Sequence, residues 1–374
     1  MMGCEPTCGT GATPVLARAL AAVLIGVTLA ACSAGSTDGP PVGLGVPDAD
    51  FESRRQTDLQ ADREAAYLPP YPSYPLDDVL RLNQIQVKGT HNSYHQLPDE
   101  PVYADWLYEH APLDVQLEEY GVRQVELDVH WDPDGERFHV FHVPILDDNS
   151  SCDTLVECLS ILKGWSDAHP GHHTLFVLVE PKDDIDPAPI VGHYDDLDAE
   201  VLSVWPRDRL LVPDDVRGNH PSLEEAILTD GWPTLRQGRD KALFLMLDSS
   251  IHKDNYLAGN PTLSGRVLFV RGQPGEPWCT FLERGDPLAS QEDIESLVSS
   301  GYMVRTAADD TAPEKREANP AMAEAALASG AHLISSDFPA AQEGYWFEFP
   351  AGNPSRCNPL TAPPECTSQD VEDL

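Results

Sequence analysis

Apolar residues cluster in short runs that recur along the middle of the chain. Eight stand out: Ile85 to Val87, Val122 to Val129, His139 to Val143, Thr174 to Val179, Ala242 to Leu247, Arg266 to Val270, Tyr302 to Arg305, and His332 to Ile334. Several are rich in Val, Ile, Leu and Phe without clean two-residue alternation, the pattern of parallel strands buried on both faces. Helical segments are predicted between them. Leu155 to Ser166 follows Asp153 and Thr154 as caps, Ser222 caps Leu223 to Leu228, and Ala321 to Ser329 stops at Gly330. Strands alternating with helices in this number predict an α/β chain folded as a (β/α)8 TIM-type barrel, regular or irregular. An open doubly wound sheet is the alternative, but no Gly-rich dinucleotide loop follows the first strand.

Polar residues punctuate the ends of these runs. His91 and Asn92 sit in K-G-T-H-N-S-Y-H, Glu126 and Asp128 in V-E-L-D-V-H, His142 closes F-H-V-F-H, and Glu180 closes T-L-F-V-L-V-E. Parallel barrel strands present their C-terminal ends to one mouth, so this order predicts a shared site. Glu126 and Asp128 are two residues apart, which on a strand puts both on one face. Two such carboxylates repel unless a cation or an arginine neutralises them. Each residue also has an ordinary reading: a turn for His91-Asn92, an edge strand for the carboxylate pair, a hydrogen-bonded core histidine for His142. His130 and His139 compete with His142 for any role. The ordered set, two imidazoles with three carboxylates and an amide, predicts acid/base chemistry beside a cage for a hard cation such as Ca2+.

These motifs resemble the catalytic set of calcium-dependent phosphoinositide-specific phospholipases C, in particular their secreted bacterial single-domain branch. The resemblance rests on H-N after the first strand, E-L-D on the second, a histidine on the third and V-E-P-K on the fourth. The segments S-S-C-D-T-L-V-E-C-L, W-S-D-A-H-P-G-H, V-R-T-A-A-D-D and A-L-A-S-G-A-H-L-I-S-S-D-F-P extend it over about Leu82 to Phe349. It implies that Asn92, Glu126, Asp128 and Glu180 are calcium ligands and that His91 stabilises pentacoordinate phosphorus. It implies His142 as the acid that protonates the departing diacylglycerol oxygen, with Glu126 or Glu180 taking the proton of the attacking inositol hydroxyl. The product is then a cyclic or linear inositol phosphate. Lys88, Lys182 and Arg305 are candidate substrate contacts, because two of only six lysines flank these motifs. Asp337 could orient a sugar hydroxyl or cap a turn. One departure is F-H-V-F-H-V-P, which lacks the H-G that often surrounds the acid histidine. Two rival readings are a glycerophosphodiester phosphodiesterase, which pairs His with Arg at the first strand, and a non-catalytic lipoprotein that binds lipid or inositol phosphate.

Charge and termini add the setting. The 374 residues carry a net charge of −38. Such a surface repels nucleic acid, so nucleic-acid partners are excluded, and action on a phosphate ester calls for a local cation. Solubility or salt adaptation explains the same charge. Arg18 precedes the apolar stretch Ala19 to Ala31, too short to span a bilayer and typical of a signal peptide. It ends in Leu29-Ala30-Ala31-Cys32, which resembles a bacterial lipobox and implies export with a lipid on Cys32; an ordinary secretory signal is the alternative. Residues 1–32 are thus read as leader, 33–75 as a Gly/Pro/Asp-rich tether, 76–350 as the barrel, and 351–374 as a disulfide-tied tail. Expected partners are a phospholipid substrate and the membrane holding the anchor, with the protein a monomer. Export permits disulfides, and among the five cysteines after Cys32 the expected pairs are Cys152 with Cys158 and Cys357 with Cys366, leaving Cys279 over. No C-x-x-C spacing supports zinc.

Overall fold

The computed structural model describes residues 74–182, 190–248, 251–312, 315–341, 344–350 and 352–372. All lie in one compact unit spanning residues 66–374. The leader, Cys32 and nearly all of the tether lie outside the described residues. No helix among the described residues is long and apolar enough to cross a membrane.

Eleven strands are described: β1 (Ile85–Thr90), β2 (Gln124–Asp132), β3 (Arg137–Val140), β4 (Leu175–Pro181), β5 (Leu210–Leu211), β6 (Ala242–Met246), β7 (Phe269–Val270), β8 (Phe281–Glu283), β9 (Met303–Ala307), β10 (Leu333–Ser336) and β11 (Ser355–Cys357). Eight of them run parallel around a curled sheet in the order β1, β2, β4, β6, β7, β8, β9, β10, returning to β1. Between β7 and β8 the ring closes only through a parallel bridge, Arg271 to Phe281, and a bond from the Gly272 amide to the Phe281 carbonyl at 3.1 Å. Gly272 is required there, because a Cβ would lie 2.9 Å from the Cys279 Cα. No helix intervenes between β7 and β8, so the barrel is irregular at this seam.

Two expectations are corrected. The run His139 to Val143 is not a wall strand. Its first part is β3, which folds back antiparallel on β2 with Val129 opposite Val140. Its place in the ring is taken by β8, which the hydrophobic pattern does not reveal. Three residues are too few to show a period, and Phe281 and Leu282 are buried by their neighbours rather than by length. The remaining wall strands follow the pattern closely. Every residue of β6 is buried, as are Val125, Leu127 and Val129 of β2 and Phe176 to Val179 of β4.

Helices Leu155–Ala168, Leu223–Thr229 and Asn319–Ala328 cover the outside where the periodicity predicts them. Thr154 accepts from the Glu157 amide at 3.2 Å and Ser222 from that of Glu225 at 3.1 Å, so both N-caps satisfy an amide that has no partner within its helix.

The floor of the barrel is sealed by the C-terminal segment. β11 pairs antiparallel with the first half of β1, placing Cys357 opposite Ile85. β1 meets β2 only at Gly89 and Gln124, so β11 fills the gap below. Cys357 is bonded to Cys366, and Cys152 to Cys158, while Cys279 is free and buried. Glu372 reaches the buried Arg123 guanidinium, with Nε donating to Oε1 at 2.9 Å.

Candidate active site

The strand ends converge as the parallel topology requires. Glu126 and Asp128 point the same way from β2, and Asp128 stands in register with Glu180 of β4. Oxygens of Glu126, Asp128 and Glu180 all lie within 4.8 Å of one another. Glu126 and Asp128 are buried, and neither Asp128 oxygen accepts a hydrogen bond. Asn92 adjoins them after β1. Its backbone is left-handed (φ 42°), which asparagine tolerates better than most residues, and its Oδ1 is buried with no hydrogen-bond partner.

Three cations offset the carboxylates. Arg305 of β9 donates Nη2–H to Glu126 at 3.1 Å, Nη1–H to Glu283 at 2.9 Å, and Nε–H to Ser335 at 3.1 Å. Lys182 Nζ lies 2.9 Å from Glu180 Oε1 and 3.3 Å from Asp128 Oδ2. His91 Nε2 is 3.7 Å from Glu126 Oε1, and its Nδ1–H donates to Asp337 at 2.9 Å. The proton affinities follow. Burial pushes the Asp128 carboxyl up to about 8, against the pull of Lys182. Burial likewise raises Glu126, opposed by Arg305 and His91. Burial disfavours charge on His91, but Asp337 and Glu126 outweigh it and raise its pKa. Lys182 is raised in the same way by Asp128 and Glu180.

The donor set fits a calcium ion. It is all oxygen, it gathers three carboxylates at close quarters, and the buried Asn92 Oδ1 lacks the hydrogen-bond partner that burial demands. Asn92, Glu126, Asp128 and Glu180 are the residues that could hold it.

Beside this set lies a cavity of about 350 Å³, lined in part by His91, Asn92, Trp106, Tyr108, His142 and Arg305. His142 belongs to the loop that follows β3, and its Nδ1–H donates to Asp147 at 2.6 Å. The competing histidines are engaged elsewhere. His130 stacks on Phe141 at 3.8 Å, and His139 lies 3.4 Å from Asp132 at the hairpin end.

One expected member is not brought to the site. Lys88 lies on β1, but its ammonium donates to the Pro339 carbonyl at 2.7 Å and lines a separate cavity with Tyr120 and Trp346. Its place directly before Gly89-Thr90 suggested a substrate contact; the strand's alternation sends the side chain elsewhere. Lys182 is close, yet it contacts two carboxylates rather than open cavity. Sequence reading missed Asp147, His95, Tyr108 and Glu283. Glu283 closes only the two-residue apolar run of β8 and the other three end no strand, so the signal that identified the others does not reach them.

A family model described as phosphoinositide phospholipase C, Ca2+-dependent, matches residues 80–139 and 136–359. No curated protein matches the sequence. Among solved structures, the calcium-dependent phosphoinositol-specific phospholipase C of a Gram-negative Pseudomonas species is 18% identical, over 76% of this chain and 97% of that one, with a TM-score of 0.55. The Ca2+-dependent phosphatidylinositol-specific phospholipase C of Streptomyces antibioticus is 20% identical, over 70% and 96%, with a TM-score of 0.53. These structures share the fold. The family match covers well over half of the chain, and with it the chain belongs to the calcium-dependent phosphoinositide phospholipases C, phosphodiesterases that use Ca2+.

Proposed function

We propose that this protein cleaves phosphatidylinositol-type lipids to diacylglycerol and a cyclic or linear inositol phosphate, with the roles carried by the residues just described. The observation that carries this is the crowding of three carboxylates within 4.8 Å beside a cavity that both His91 and His142 line. Asn92, Glu126, Asp128 and Glu180 hold the cation. Bound there, Ca2+ supplies a Lewis acid that offsets phosphoryl charge and makes the inositol hydroxyl easier to ionise.

The chain's own residues do the rest. Glu126 and Glu180 are the two carboxylates available to take the 2-hydroxyl proton as its oxygen attacks phosphorus. His91, its Nδ1–H tied to Asp337, offers Nε2–H to a phosphoryl oxygen. Arg305 adds a fixed positive charge at the cavity wall. His142 gives a proton to the diacylglycerol oxygen as the P–O bond breaks. In the reverse sense it draws a proton from water and allows the cyclic product to open. Lys182 pairs with Asp128 and Glu180 and offsets their charge, and its approach to substrate is through them.

The lipid side is supported by apolar residues exposed next to the mouth. Leu97, Val102, Tyr103 and Leu107 follow the His91 loop, and Ile145 and Leu146 follow His142. Apolar side chains left in water around a site suit a bilayer surface. Export through the leader and acylation of Cys32 would hold a monomer at that surface, and mass spectrometry of the mature N-terminus tests this. The activity is tested by release of inositol phosphate from phosphatidylinositol vesicles with calcium and then with a chelator. Calcium-dependent release is expected. Cleavage of glycerophosphoinositol with intact lipid untouched would replace this reading with a glycerophosphodiesterase.

A further inference from the structure

Asp147 is buried between two histidines. Its Oδ2 accepts from His142 Nδ1 at 2.6 Å and its Oδ1 from His95 Nε2 at 2.9 Å. Asp147 and His95 are both fully buried, while the His142 side chain is 22% exposed and lines the cavity. His95 is fixed in turn by stacking on Tyr108 at 4.3 Å and by its backbone N–H, which donates to the Asn92 carbonyl at 2.8 Å. Its Nδ1 is buried with no hydrogen-bond partner, so a second proton there would have no acceptor. His95 therefore uses Nε2–H to hold Asp147.

The loop is shaped to deliver Asp147. Val143 and Asp147 exchange both backbone bonds, each 2.9 Å, which turns the chain back beneath His142. The turn holds Ile145 at φ 70°, a conformation that a β-branched side chain strongly resists. The carboxylate that results joins the loop carrying His142 to the loop carrying His91 and Asn92.

We infer that Asp147, anchored by His95, is a positioning residue for the acid step: it accepts Nδ1–H of His142 and leaves Nε2 as the nitrogen that gives up the proton. This rests on the reading of His142 as the acid. A carboxylate on Nδ1 fixes tautomer and ring orientation and stabilises the imidazolium before transfer. Burial disfavours charge on Asp147, but the hydrogen bonds from His142 and His95 outweigh it and hold its carboxyl below the ordinary range. An asparagine at 147 would donate to Nδ1, and the neutral ring would then carry its proton on the wrong side.

The test compares two leaving groups in the calcium-loaded protein. Phosphatidylinositol expels an alkoxide that needs the proton, whereas an aryl inositol phosphate with an acidic phenol does not. D147N is expected to lower kcat on the lipid about a hundredfold or more, and on the aryl ester less than about tenfold, with KM and calcium affinity little changed. H95Q should show the same selectivity with a smaller loss. Equal losses on both substrates, or no loss on either, would overturn the inference. If D147N fails to fold, H95Q alone decides by the same criterion. H142A separates the two readings. If it shows no preference for the aryl ester, the acid assignment itself is wrong; if it does and D147N does not, only the positioning role falls.

Discussion

Arg305 Nη2 lies 3.1 Å from Glu126 Oε2, a bond that spans the barrel interior from β9 to β2. In the ring these strands are separated by β10 and β1, so no local pairing brings the two residues together. Arg305 also reaches Glu283 of β8. One buried guanidinium thus neutralises a carboxylate of the cation set and ties it to the seam where the barrel is weakest.

Removing that guanidinium leaves a buried carboxylate unpaired. R305M is expected to lose about 3–5 kcal/mol of stability in calcium-free urea unfolding. R305K should fall between it and the wild type, because an ammonium keeps the charge but cannot fork to two acids.

Calcium stabilises the folded chain by mass action, since an unfolded chain has no such cage. At a hundred times Kd the gain is about 2.7 kcal/mol, seen as a higher Tm that a chelator reverses. D128N should lose most of that gain. A Tm in D128N that still responds fully to calcium would place the ion elsewhere.

H142A should slow cleavage of phosphatidylinositol by about a hundred- to ten-thousandfold while leaving calcium binding intact. The check pairs kcat with calcium titration by calorimetry. Loss of both together would mean that the substitution had disturbed the cage rather than removed an acid.

Acid should unfold the protein from near pH 6.5 downward. Burial lowers His110, His172 and His332 from 6.5 to about 4 and His173 to about 3. Their stabilisation is whole above 6.5 and fades as pH falls, because only the unfolded chain takes up those protons there. Burial disfavours charge on Glu372, but Arg123 and His173 hold it down to about 2, so its share, present above 4.5, goes next. Asp128, raised to about 8, and Asp309, raised to about 7 by burial and Asp337, act in the opposite sense, since the folded chain keeps their protons. Glu126, Asp198 and Glu200, likewise raised by burial, act with them; the four histidines are the groups that must take a charge into the core as the pH falls. Urea midpoints measured with a chelator at pH 7, 5.5 and 4.5 should fall in that order.

The carboxylate set was legible because barrel strands end where apolar runs end. Glu126, Asp128 and Glu180 interrupt runs of Val and Leu, and an acid in such a place has few structural uses. His91-Asn92 was legible by position after the first run. Lys88 misled for the same reason: proximity in sequence to a catalytic turn says nothing of which face a strand residue takes. β8 was hidden by its length, and β3 mimicked a wall strand because its buried Phe138 and Val140 are as apolar as those of the barrel.

Local composition therefore specified the elements that carry their own pattern: seven of the wall strands, the capped helices, the two short disulfide loops and the acids at the strand ends. Each depends on neighbours within a few residues. Contacts between distant segments were decided by closure of the barrel: Arg305 on Glu126, Asp337 on His91, His95 and His142 on one aspartate, and Glu372 under Arg123. These pairs are set by strand register and loop path, and hydrophobic periodicity carries no information on either once a residue leaves a regular element.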